Sequence, residues 1–174
     1  MTRAQLEHII RAAGDIAQDD ELIIIGSQAV LGQFPNAPAD LLVSEEADLF
    51  PKNHPEKAID IDGAIGERSL FHQTHGIYAH GVSEETATLP EGWKLRMIPI
   101  HNPNTRGVTG WCLDVHDLAI SKLVAGREKD LVFVTGLVRH RLVRAEILRE
   151  RLRMVSLSAD LVDLVAGRLE RCLR

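Results

Sequence analysis

The chain has little of several things, and each shortage narrows what it is. Two cysteines in 174 residues, Cys112 and Cys172, are too few for a disulfide framework. They suit a reducing compartment, so a cytoplasmic setting is expected. No apolar run approaches the roughly 18 residues of a membrane helix. Met1-Thr2-Arg3-Ala4 leads straight into a periodic helix, so no signal peptide is expected. Aromatics are only 4% of residues, and Trp93, Trp111 and Phe71 read as core rather than base-stacking platforms. There is no internal repeat and no low-complexity segment. Basic charge is also short, with a net −5. It is unevenly placed: Arg127 to Arg174 holds 11 Lys/Arg against 7 Asp/Glu, a local +4 that leaves −9 for the rest. A basic tail suits an RNA or an acidic partner, and equally an ordinary solvated helical face.

What is present is a domain-sized chain of ordinary hydrophobic content, 45%. Leu6, Ile9, Ile10, Ala13, Ile16 and Ala17 recur at helical spacing over residues 2–19, with Thr2 as a candidate N-cap. Leu22-Ile23-Ile24-Ile25 reads as a strand running into Gly26-Ser27 and a short helix that ends before Phe34-Pro35. Gly26 permits close backbone approach at unusual angles, and Ser27 can cap the helix. Amides at such a start suit phosphate. Strands are expected at 41–43, 46–50, 77–82, 94–100 and 108–113, with a helix from Pro55 to Ile65. From Asp114 the chain turns helical, over four segments. The last is capped by Ser158 and turns Leu161, Leu164, Val165 and Leu169 inward. The expected organisation is an α/β (α+β) core over 1–113, a mixed sheet with packed helices, and a helical C-terminal part over 114–174.

Glu46 and Asp48 are the candidate metal ligands. Residues two apart in a strand share a face, so both carboxylates converge while Ala47 and Leu49 are buried. Such a pair repels unless a cation lies between, and Mg²⁺ is the usual answer. The competing reading is an edge strand with solvated acids. Lys122, Arg127, Lys129 and Asp130 form a second cluster. Lys122 and Asp130 are about two turns apart, so one face holds both if the helix continues through Gly126. Lys122 can then neutralise phosphate charge with Asp130 fixing its position, or the two form an ordinary exposed ion pair. His72, His75 and His80 match no common structural zinc spacing and read as satisfied or solvent-facing, although His80 can sit beside the carboxylates.

Gly26-Ser27 followed by Glu46-x-Asp48 resembles the signature of the DNA polymerase β-type nucleotidyltransferases. The likeness is greatest to minimal and AbiEii-like members from toxin–antitoxin and abortive-infection operons. The later Asp117-Leu118-Ala119-x-x-Lys122-Leu123-Val124-Ala125-Gly126-Arg127-x-Lys129-Asp130 is similar to a stretch those proteins carry after their core. The resemblance implies Mg²⁺ ions bridging Glu46, Asp48 and a nucleoside triphosphate. It implies binding of the phosphates by Gly26, Ser27, Arg127 and Lys129, catalytic roles for Lys122 and Asp130, and transfer of a nucleoside monophosphate to RNA or protein. A cognate toxin or antitoxin is the implied partner. Three departures stand out. Glu46 occupies a place where Asp is commoner, the interval from Ser27 is long, and Lys94 to Ile100 offers no third carboxylate. Asp60, Asp62 and Glu67 are the nearby acids, the first two on a helix. The alternatives from other classes are a catalytically impaired module acting as antitoxin or regulator, and a basic-tailed RNA-binding protein.

Overall fold

The computed structural model describes residues 1–174. Its first helix, α1 (Arg3–Ala17), begins at a full capping box: the Thr2 side chain accepts from the Gln5 amide, and the Gln5 side chain accepts from the Thr2 amide. β1 (Glu21–Ile24) then runs through the centre of the molecule. A single 3₁₀ turn at Ser27–Ala29 leads into the short α2 (Val30–Gln33). β2 is Glu46–Pro51, α3 Ala58–Ile65, α4 Leu70–His75, β3 Tyr78–Gly81, β4 Ile98–Ile100 and β5 Thr109–Cys112. Four helices follow: α5 (Val115–Ala125), α6 (Glu128–Arg139), α7 (Ala145–Arg153) and α8 (Ala159–Cys172). This is a mixed α/β fold with a helical C-terminal part.

The sheet has five strands in the order β3-β2-β1-β5-β4. β1 pairs antiparallel with β2 and parallel with β5, and β2 pairs parallel with β3. Register assigns the two faces. Ile23 lies opposite Phe50 and Trp111, and Asp48 opposite His80, so Glu46, Asp48, Phe50, Ile23, Trp111 and His80 share one face. The other face carries Leu22, Ile24, Ala47, Leu49 and Ala79, all fully buried. There α1 and α3 come close: a Cβ on Gly110 would lie 2.5 Å from Ile10, and one on Gly81 would lie 1.9 Å from the Ala58 carbonyl. The helices thus cover one side and leave the carboxylate row on the other.

The expected strand at 41–43 does not form. Pro38 starts a 3₁₀ turn at Ala39–Leu41, which packs on α6, and Val43 is exposed. The expected strand at 94–100 shortens to its last three residues. Trp93–Leu95 is a 3₁₀ turn, and Leu95 points to solvent. Arg96 leaves the strand pattern because its guanidinium is claimed by Asp117, donating from Nε at 2.8 Å and from an Nη at 3.1 Å. On α8, Val165 and Leu169 are inward as expected, but Leu161 and Leu164 are exposed.

Asp117 is an acid whose weight the sequence concealed. Its side chain is fully buried, with the Arg151 Nε also 3.1 Å away. Burial pushes its carboxyl up, against the pull of Arg96 and Arg151. Such a triad contributes little net energy, yet removing one member strands the others. Asp117→Ala is therefore expected to cost about 3 kcal/mol in chemical denaturation. A loss under about 1 kcal/mol would mean the arginines relax into solvent, as surface ion pairs do.

Candidate functional site

The site begins where β1 ends. Gly26 has φ −78° and ψ −179°, an extended conformation open to any residue, so the expected unusual angles are absent. Its need for glycine is spatial. A Cβ there would lie 2.2 Å from the Asp48 Oδ2 and 2.9 Å from the Asp48 Cβ. The Ile25 amide donates to the Asp48 carbonyl at 3.0 Å, holding the Gly26-Ser27 turn against β2. The turn and the carboxylate row, twenty residues apart in sequence, thus meet.

Glu46 and Asp48 are both half-buried on the same face, with Ala47 and Leu49 fully buried behind them. Desolvation pushes the Glu46 carboxyl up, and the neighbouring Asp48 charge pushes it further. The third group is His80, brought opposite Asp48 by the parallel β2–β3 register. Its Nδ1 lies 2.9 Å from the Glu46 Oε1 and 3.2 Å from the Asp48 Oδ1. Desolvation pulls the imidazole pKa down, but the Asp48 and Glu46 charges outweigh it and the net shift is upward. The three donor atoms all lie within 4.8 Å of one another, a spacing that one ion can span. The expectation that His80 can sit beside the carboxylates is met through the β2–β3 pairing. The sought third carboxylate is not here: the Glu67 side chain is exposed beside Arg68, and Asp60 and Asp62 lie on the outside of α3.

The second cluster is built across a helix break. α5 ends at Gly126, whose φ of +65° is the left-handed conformation that glycine tolerates, and α6 starts two residues later. α8 holds this junction. The Arg168 guanidinium donates to the Leu123 and Val124 carbonyls, and a Cβ on Gly126 would strike it. Asp130, 1% exposed, receives the Lys122 ammonium at 3.3 Å and the Arg127 Nε at 2.6 Å. Lys122 and Asp130 therefore meet through a turn, not along one continuous helix. Asp130 also takes the Arg127 amide, completing a cap on α6. Hydrogen bonding to Asp130 pushes the Arg127 pKa up, and the Asp48 and Glu46 charges add to it. Lys129, by contrast, is exposed and makes no ion pair.

Burial pushes the Asp130 carboxyl up, but Arg127 and Lys122 overcome this and hold it below the ordinary value. A carboxyl depressed in the folded state contributes stability fully above the unfolded pKa, about 3.9, and loses it as pH falls through the folded value. Asp130→Ala leaves Lys122 almost buried and unpaired, an expected loss of about 3 kcal/mol at pH 7. The gap between parent and variant should close below about pH 4 in thermal melts. An equal gap at pH 7 and pH 3 would show that Asp130 acts by packing.

The remaining histidines and aromatics have ordinary partners. His72 accepts from the Arg68 amide and faces Glu45 at 3.4 Å. His75 packs edge-on to His8 and beside Phe71, which is half-buried rather than core. Trp93 is buried. Trp111 is half-buried and lies on the carboxylate face, its Nε1 donating to Glu21 at 3.0 Å. Together with Ile23, Phe50 and Met97 it lines a cleft of about 550 Å³. Two lysines at this cleft are already engaged: Lys52 by Glu21 at 2.6 Å, Lys94 by Glu84 at 2.8 Å. No helix is long and apolar enough to cross a membrane.

The model of a protein family described as nucleotidyltransferase of unknown function (DUF6036) matches residues 4–165. Neither the curated proteins nor the solved structures give a match. The matched span takes in the Gly26-Ser27 turn, the Glu46/Asp48 row and the Lys122–Asp130 junction, and with nearly the whole chain covered, the protein belongs to this nucleotidyltransferase family.

Proposed function

We propose that the protein binds a nucleoside triphosphate with Mg²⁺ and transfers its nucleoside monophosphate to an RNA or protein hydroxyl, as a cytoplasmic component of a toxin–antitoxin or phage-defence system. The observation that carries this reading is the contact of Gly26 with Asp48. The Gly26-Ser27 turn lies directly against the carboxylate pair, where its backbone would meet a phosphate bound there. A Mg²⁺ ion held by Glu46 and Asp48 would neutralise phosphate charge and favour ionisation of the acceptor hydroxyl.

The chain's own residues have separable roles. Ser27 and the backbone around it would contact the terminal phosphates. Arg127, held by Asp130 and within the field of the carboxylate pair, would pair with phosphate oxygens, which suits its forked guanidinium. Asp130 holds that arginine, and Lys122 offsets the charge of Asp130, so both act at one remove. Lys129 would reach only the outer part of a bound triphosphate. The acceptor would approach over the face bearing the cleft, since Phe50 is two residues along the same row from Asp48. The engaged state of Lys52 and Lys94 favours a protein acceptor over RNA there, because RNA binding draws on free cations.

One observation favours a second reading, a nucleotidyltransferase-shaped antitoxin or regulatory module without catalysis. The third group beside the pair is His80, not a carboxylate. Equilibrium dialysis with a labelled triphosphate, with and without Mg²⁺, tests what both readings share. Both expect retention that depends on the cation. Equal retention in excess chelator would remove both.

A further inference from the structure

Three donors of two chemical kinds meet at the head of β2 and β3. The His80 Nδ1 stands 2.9 Å from the Glu46 Oε1 and 3.2 Å from the Asp48 Oδ1. Adjacent ligands on an octahedral ion with bonds of about 2.1 Å are about 3 Å apart. The observed spacings therefore match neighbouring vertices around one ion, with no rearrangement of the strands. The positions are also fixed by backbone, since Asp48 and His80 are register partners and Gly26 closes one side of Asp48.

Two carboxylates and an imidazole are a poor set for Mg²⁺. That ion is hard, keeps its waters and prefers oxygen. Imidazole nitrogen strengthens binding along the first-row divalent series, of which Mn²⁺ is the weakest member and the closest to Mg²⁺ in geometry. We infer that Glu46, Asp48 and His80 together form a mixed nitrogen–oxygen site that prefers a first-row transition-metal ion over Mg²⁺, with His80 as its third ligand. The proposal rests on the divalent-ion reading given above and changes which ion is the better occupant. Binding displaces the proton shared between Nδ1 and the carboxylates, and that proton passes to solvent.

The test uses the full chain with Mn²⁺ alone, without nucleotide. Electron paramagnetic resonance reads free Mn²⁺ during titration, and pulsed measurements on the bound ion read a directly coordinated nitrogen. The expected result is one bound Mn²⁺ per chain with a nitrogen coupling, displaced only by Mg²⁺ in more than about tenfold excess. His80→Asp makes the set all oxygen. It should abolish the nitrogen coupling and bring Mg²⁺ competition at least about tenfold closer to parity. Circular dichroism melts confirm that the variant folds. Bound Mn²⁺ without a nitrogen coupling, or unchanged competition in His80→Asp, overturns the role of His80 and leaves the nucleotide reading standing. Absence of bound Mn²⁺ overturns the metal site itself, whereas cation-dependent triphosphate retention is measured separately by dialysis.

Discussion

Asp48→Ala is expected to abolish cation-dependent triphosphate binding while leaving the chain folded. Asp48 is central to the site in three ways. It closes on Gly26, pairs with Glu46, and faces His80 at 3.2 Å. Removing its carboxylate takes away half of the oxygen donors. It also leaves Glu46 free to pair with His80 alone, at 2.9 Å. The core does not depend on this charge, because Asp48 lies half-buried on the face away from the buried Ala47 and Leu49. Relief of the Glu46–Asp48 repulsion offsets part of any packing loss, so the melting temperature should stay within a few degrees, and an increase is consistent with the same physics. Titration calorimetry with Mg²⁺ and a triphosphate decides it. Heat unchanged from the parent would sink the carboxylate site.

The second large effect is expected from Gly26→Val. The backbone at Gly26 is ordinary, so the penalty comes from the space already filled by Asp48. A β-carbon 2.2 Å from the Oδ2 must drive the carboxylate away, and two γ-methyls add to the crowding. Overpacking of this kind costs about 1–3 kcal/mol. The displacement matters more for function, because the same shift separates the Asp48 oxygen from Glu46 and His80. Gly26→Ala isolates that effect with less damage. It should fold, melt slightly lower and lose cation-dependent triphosphate binding. A soluble Gly26→Ala protein that binds triphosphate like the parent would show that the turn has no part in the site.

These two residues show what the sequence could and could not reveal. The helix α1, the strand into Gly26, and the alternation of Glu46-Ala47-Asp48-Leu49 follow from local periodicity and from the capping preference of Thr2. The pairing of Lys122 with Asp130 was legible as spacing, but its geometry was not. The left-handed Gly126 and the Arg168 guanidinium make the junction, and Arg168 is 42 positions along from Gly126. His80 was legible as a histidine able to sit beside the carboxylates, but not as their third partner. Its meaning depends on the β2–β3 register, a long-range pairing that no local pattern encodes. The strands expected at 41–43 and 94–100 failed for a shared reason: short apolar runs also form 3₁₀ turns, and tertiary partners decide. Leu41 went under α6 against Gly136, and Arg96 went to Asp117. Trp111 was read as core, yet the same register places it on the face of the carboxylates.

Transfer of a nucleoside monophosphate on this face is the proposal on which the rest depends. The most direct measurement incubates the purified protein with α-labelled triphosphates, total RNA and a cell lysate, with Mg²⁺ and with Mn²⁺, and with Asp48→Ala as the control. Label is expected on a protein or RNA acceptor and should vanish in the variant. Cation-dependent triphosphate binding with no label on any acceptor under either ion would contradict it and leave the binding module.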